Sequence, residues 1–159
     1  MQSKNLNWCS LNKTMRRHLP VMAWHWLTYS KSLTERLQKF TRDRIQFRLV
    51  QNWKINNEKI WIRKSEWHFE NAVWIKADLL MSDSSVNQNT KQLLNINQKP
   101  IGEILFQDPK LKRSDFLFYQ HTENLTWSRK SIFHFKQQPI ELIETFYPAF
   151  FKSLFKDQI

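Results

Sequence analysis

IWIRKSEW, residues 60–67, decides how this chain is read. Side chains along a strand alternate between two faces. The odd positions Trp61, Arg63, Ser65 and Trp67, continued by Phe69, form an aromatic, core-type row with a guanidinium in its middle. The even positions Ile60, Ile62, Lys64, Glu66 and His68 grow progressively more polar and suit a wetter side. An arginine does not give up its proton in a protein. The strand therefore aims a permanent ion along an apolar row.

The last strand-like stretch repeats the anomaly. In PIELIETFYP, residues 139–148, Ile140, Leu142, Glu144 and Phe146 share a face, and Glu144 is its only charge. Glu141 falls on the opposite face with Ile143, Thr145 and Tyr147, where it can be solvated. A buried unpaired ion costs several kcal/mol even after relaxation. One reading is structural: Arg63 and Glu144 pair with each other or with local backbone. The other is functional, with both lining a cavity and meeting opposite ends of a polar ligand. An arginine fork matches a carboxylate bidentately. A carboxylate in a dry site can hold a hydroxyl or take a proton, with its pKa raised by burial. The ligand so described is a small acid bearing a hydroxyl. Arg129, on a face with Trp127, Ser131, Phe133 and Phe135, is a further inward charge, read first as an ion pair at the sheet edge.

Working outward, 22–40 reads as helical with a break in its middle, because Ser32, Leu33, Thr34 and Glu35 have the capping-box form that starts a fresh helix at Leu33. Strand-like segments cover 44–53, 59–68, 72–80, 114–121, 126–136 and 139–147. Polar connections around Asn56 and Asn57, at Glu70 and Asn71, around Glu123 and Asn124, and at Gln137 and Gln138 suggest hairpins. Residues 84–106 read as helical in two pieces parted near 97–100, and the tail as one or two last turns. The sum is an α+β fold, a six-stranded antiparallel sheet with helices packed largely to one side. Two helix starts suit an anion: Leu33, and Pro100 with Ile101 and Gly102, where first-turn amides lack partners and the glycine permits close approach to backbone.

At 159 residues, with 41% hydrophobic and 14% aromatic content, the chain is expected to form one domain over 21–159 behind a loosely tied arm, 1–20. A single cysteine, Cys9, excludes an intrachain disulfide. Because no apolar signal region opens the sequence and no run nears the roughly 18 apolar residues of a membrane span, the cytoplasm is the expected compartment. The net charge of +11 comes in short basic groups, including 110–113, and reads first as a solvated lysine-rich surface. A nucleic acid, an anionic membrane or a small acid would also suit it. Gly102 is the only glycine, which excludes a glycine-rich phosphate loop and a dinucleotide fingerprint. His18, His25, His68, His121 and His134 lack metal-ligand spacing, and the eight tryptophans fall mostly on alternating strand positions that suit core packing over base stacking. No cofactor is expected.

From about Trp24 to about Ala149 the chain resembles the chorismate lyases (chorismate pyruvate-lyases). The likeness rests on HWLTYSKSLTERL, IWIRKSEW, QKPIGEILF, TWSRKSIFHF and LIETFYP, in the family's order and near its spacing. The resemblance implies a six-stranded antiparallel sheet with helical flaps over an internal site. It implies conversion of chorismate to 4-hydroxybenzoate and pyruvate at the start of ubiquinone synthesis, without a cofactor, with retention of the product and by a monomer. Residue by residue it implies that Arg63 and Glu144 hold the ligand and act in catalysis, with main-chain contacts at Leu33 and Ile101. Where some relatives carry Gly-Arg, this chain has Ala77 and Asp78. A small-aromatic-acid-sensing domain of the same fold is the alternative, and a basic nucleic-acid-binding module the next. The expected partners are the substrate and product alone, with no nucleic acid and no stable membrane insertion.

Overall fold

Alternating apolar residues in long runs fold into one antiparallel sheet in the computed structural model, which describes residues 6–55, 57, 59–122 and 124–156. Its strands are β1 (Cys9–Ser10), β2 (Gln46–Ile55), β3 (Ile60–Phe69), β4 (Ala72–Ser82), β5 (Lys112–Arg113), β6 (Leu117–Gln120), β7 (Trp127–Phe135) and β8 (Gln138–Phe146). The spatial order is β1-β6-β7-β8-β4-β3-β2, and β5 pairs with β7. Eight described strands thus stand where six were expected. The two additions, β1 and β5, are two residues long, too short to show an alternation.

β1 joins part of the arm to the sheet. Cys9 lies opposite Phe118 and Ser10 opposite Leu117. Leu11 and Met15 pack on the core, and the Trp24 indole donates to the Arg16 carbonyl at 3.1 Å. Hairpin turns form without glycine: Glu70 and Asn71 have φ of 47° and 64°, and Lys136 and Gln137 have 49° and 66°. Left-handed backbone at both central positions suits a two-residue connection between twisted strands. Asn56 and Glu123, in the other two expected turns, lie outside the described residues, as do 1–5 and 157–159.

The helices are α1 (Lys13–Arg16), α2 (Val21–Leu27), α3 (Leu33–Thr41), α4 (Gln92–Asn95), α5 (Gly102–Leu105) and α6 (Pro148–Ser153). The break within 22–40 falls at the expected cap, where Ser32 Oγ accepts from the Glu35 amide at 3.3 Å. Residues 84–106 are far less helical than expected. Asn87 Oδ1 accepts from the amides of Asn89 and Thr90 at 2.8 and 3.1 Å, and such local bonding competes with a helix. Only the four-residue α4 and α5 form there.

Two apolar clusters cover one face of the sheet. The first joins α2, α3 and α6 to Trp67, Ile75, Trp127 and Phe146; the second joins α4 and α5 to Leu79, Phe133, Ile140 and Leu142. Between them one cross-strand row carries Ser65, Ala77, Glu144 and Arg129. The polar row marks the seam. No described helix is long and apolar enough to cross a membrane.

Candidate functional site

Short side chains at the seam make room. Ser65 and Ala77 stand among the larger Phe47, Trp67, Phe133 and Leu142, and a cavity of about 50 Å³ lies over them. Its cover comes from Leu33 and Thr34 at the start of α3 and from Pro100, Ile101 and Gly102 before and at the start of α5. Glu144, Arg113 and Lys31 are its charged lining. Such a volume admits a few waters but is well below the several hundred Å³ typical of a ligand pocket.

Three of the four expected positions meet here. Leu33 is the first residue of α3, so its amide and that of Thr34 have no partner inside the helix. Ile101 immediately precedes α5 with φ −64°. Gly102 also lines the cavity; its φ is not positive, and an added Cβ would meet Phe106 at 3.6 Å and Thr34 Oγ1 at 3.7 Å, ordinary contacts within the protein.

Glu144 is 5% exposed, and Oε2 accepts from Arg129 Nε at 2.6 Å and Arg113 Nη2 at 3.0 Å. Both of these bonds go to Oε2 and none from a described residue reaches Oε1, and Glu144 lines the cavity. Burial by itself pushes the carboxyl up, as expected from sequence, but the charges of Arg129 and Arg113 and their hydrogen bonds outweigh it and hold the pKa below the usual glutamate value. Glu144 is thus an ionised acceptor at neutral pH.

Arg129 is 0% exposed and stands opposite Glu144 in the register of β7 and β8. The pair lies inside the sheet, not at its edge. Nη1 shares its protons among the carbonyls of Trp26, Leu27 and Tyr29 at 3.3, 3.0 and 2.7 Å; the Trp26 carbonyl also accepts from the Tyr29 amide at 3.2 Å, so the arginine serves chiefly the other two, at and just beyond the end of α2. Nη2 has no acceptor among the described residues.

Arg63 is placed differently from expectation. It is 2% exposed but does not line the cavity. Its guanidinium donates to the carbonyls of Ile96, Asn97 and Lys99, the last two at 2.9 Å. A structural salt bridge to Glu144 is excluded, and the backbone it holds is distant in sequence, not local. Burial lowers the Arg63 pKa from the ordinary arginine value. Arg63 faces Leu79, which faces Leu142, and Glu144 stands two residues beyond Leu142. The two side chains therefore start about 12 Å apart, two strand spacings across and two residues along. They flank the cavity.

Arg113 is the site residue that the sequence did not reveal. β5 sets it opposite Phe133, and its guanidinium lies 4.3 Å from the Phe116 ring centre and 4.5 Å from that of Phe133. Nε donates to Ser131 Oγ at 2.9 Å and Nη1 to the Ser30 carbonyl at 3.1 Å. Desolvation lowers its pKa to about 10 against the opposing pull of Glu144, so it remains charged at neutral pH. In sequence it belongs to a basic group that reads as solvated; the spacing of two from Leu111 is the one hint of an inward face.

The sequence profile of the family described as chorismate lyase matches residues 3–156. A probable chorismate pyruvate-lyase of Coxiella burnetii is 27% identical over 180 aligned positions, covering 93% of this chain and 95% of that protein. A chorismate pyruvate-lyase of Hamiltonella defensa is 25% identical, covering 92% and 87%. Among solved structures, the C-terminal domain of a histidine utilization repressor from Pseudomonas syringae aligns with a TM-score of 0.46 at 7% identity, over 67% of this chain and 93% of that one. That likeness is too slight to bear on function.

Proposed function

The chain belongs to the chorismate lyase family, lyases acting on chorismate, and from that premise we propose that it forms 4-hydroxybenzoate and pyruvate in the seam cavity, at the entry to ubiquinone synthesis. Glu144 supports this reading most: an ionised carboxylate with one oxygen fixed by two arginines and the other left toward a cavity. Oε1 takes the hydrogen bond of the ring hydroxyl. The amides at Leu33 and Ile101 lie along the cover, where partial positive charge favours a carboxylate.

In the reaction, the ring C4–H bond breaks and its electron pair becomes a ring double bond. The C3–O ether bond breaks, the ether oxygen becomes the carbonyl of pyruvate, and the proton ends on the former methylene carbon. The product ring is aromatic, so the driving force lies in the substrate. The protein supplies positioning and electrostatic stabilisation, and no cofactor enters the scheme. A carboxylate held below its usual pKa is a weak base. Glu144 accordingly orients the hydroxyl and stabilises charge while the C4 proton moves toward the enolpyruvyl carbon.

The small cavity requires the cover to move for entry and release. Arg63 has a double part in that motion. In the closed state it clamps the 96–99 backbone beside Ile101; once that segment lifts, its fork is free to take the ring carboxylate. The test is turnover followed by ultraviolet absorbance of 4-hydroxybenzoate. Wild type should convert chorismate, and Arg63→Ala should reduce kcat/KM about 100-fold and weaken product binding about tenfold, the loss of one charged anchor. An Arg63→Ala enzyme with unchanged turnover and product affinity would remove Arg63 from the mechanism.

A further inference from the structure

We propose that Arg113 binds the second carboxylate of the substrate, the one on the enolpyruvyl side chain that leaves as pyruvate. The inference rests on the function proposed above and extends it to a residue outside the four expected positions.

Charge at the seam is unbalanced. Two guanidiniums, the fully buried Arg129 and the partly buried Arg113, share a single carboxylate, Glu144, and both contact the same oxygen. One positive charge is left over in a region walled by Phe116, Phe133 and Leu142. A buried charge without a partner is costly, and a ligand anion relieves that cost. Arg129 does not line the cavity, whereas Arg113 does. Of the five N–H groups of a guanidinium, Arg113 uses three on Ser131, Ser30 and Glu144, leaving two without acceptors among the described residues.

Chemistry fixes which anion goes there. In chorismate the hydroxyl is on C4 and the enolpyruvyl ether on the adjacent C3, while the ring carboxylate is on C1, opposite C4. If Glu144 holds the hydroxyl, the ring carboxylate points away from it and the enolpyruvyl group lies beside it. Arg113 donates to Glu144 at 3.0 Å, so it stands at the hydroxyl end. Lys31 also lines the cavity and adds a second positive charge. As the ether bond breaks, negative charge grows on the departing fragment, where a fixed cation is most effective.

The product lacks this second carboxylate, and that separates the role from a structural one. Arg113→Gln should lower kcat/KM for chorismate about 100-fold while the Kd for 4-hydroxybenzoate stays within threefold of wild type. Arg113→Lys keeps the charge but loses the fork; its KM for chorismate should rise about tenfold with product affinity unchanged. It carries the test should the glutamine variant not fold. Equal losses of substrate turnover and product affinity would show a structural part only, and unchanged chorismate kinetics in either variant would overturn the proposal. If wild type neither turns over chorismate nor binds 4-hydroxybenzoate, the failure is that of the proposed function.

Discussion

Glu144→Gln should abolish most chorismate turnover, with kcat falling by about 10³-fold, the range for loss of a group that stabilises charge at the reacting centre. Glutamine preserves the shape and an acceptor oxygen but removes the charge. Two consequences follow. The hydroxyl loses its ionised acceptor at the cavity, and Arg129 and Arg113 lose their shared counter-ion. Removing one partner of a buried ion pair costs roughly 3–5 kcal/mol, so thermal unfolding should move down with activity. The pH response carries a separate signature. The folded-state pKa of Glu144 is depressed, so its contribution to stability is complete above the ordinary carboxylate range. That contribution disappears as pH falls through the lowered folded value. The glutamine variant should lack this component of acid sensitivity. Measurement of kcat together with unfolding curves across the acid range checks both. A variant with wild-type kcat would remove Glu144 from the chemistry.

Arg129→Met should lower stability by a similar amount. Methionine fills much of the same volume, but it leaves the carbonyls of Leu27 and Tyr29 without their donor and Glu144 with Arg113 alone. Each buried unsatisfied group costs about 1–3 kcal/mol. A total near 4 kcal/mol lowers Tm by roughly 10 °C in a domain of this size. The change also detaches the end of α2 from β7, and the connection from α2 to Leu33 forms part of the cover. Activity near Tm should therefore fall first, with residual activity at low temperature. Calorimetry of the variant against wild type decides the matter; an unaltered Tm would contradict the load assigned to this arginine.

Alternation made most of the sheet legible. The rows Trp61 to Phe69 and Ile140 to Phe146 carry their apolar pattern openly, and the charges at Arg63, Arg129 and Glu144 do point inward. The Ser32 cap was equally plain, because it depends on four consecutive residues. Pairing was not legible. Alternation tells which face a side chain takes but not which strand lies next to it. The face pattern alone matches Glu144 with Arg63, whereas its register neighbour is Arg129. Arg113 stayed hidden for another reason: a two-residue strand in a run of lysines has no period to read. The stretch 84–106 misled because its leucines and isoleucines suggest helix while Asn87 and Thr90 turn the backbone by local hydrogen bonds. Arg63 shows how far such local information reaches. Its burial was foreseen from one strand, but the three carbonyls that hold it lie more than thirty residues away.

What the whole account requires is a guest seated over Ala77 and Ser65, between the opposed charges of the sheet. A crystal structure with bound 4-hydroxybenzoate measures this most directly. The ring should lie in the seam cavity with its hydroxyl within hydrogen-bond distance of Glu144 Oε1 and its carboxylate toward Arg63 and the 96–101 cover. Density for the ligand elsewhere, with this cavity unchanged and Arg63 still on the Ile96, Asn97 and Lys99 carbonyls, would contradict it.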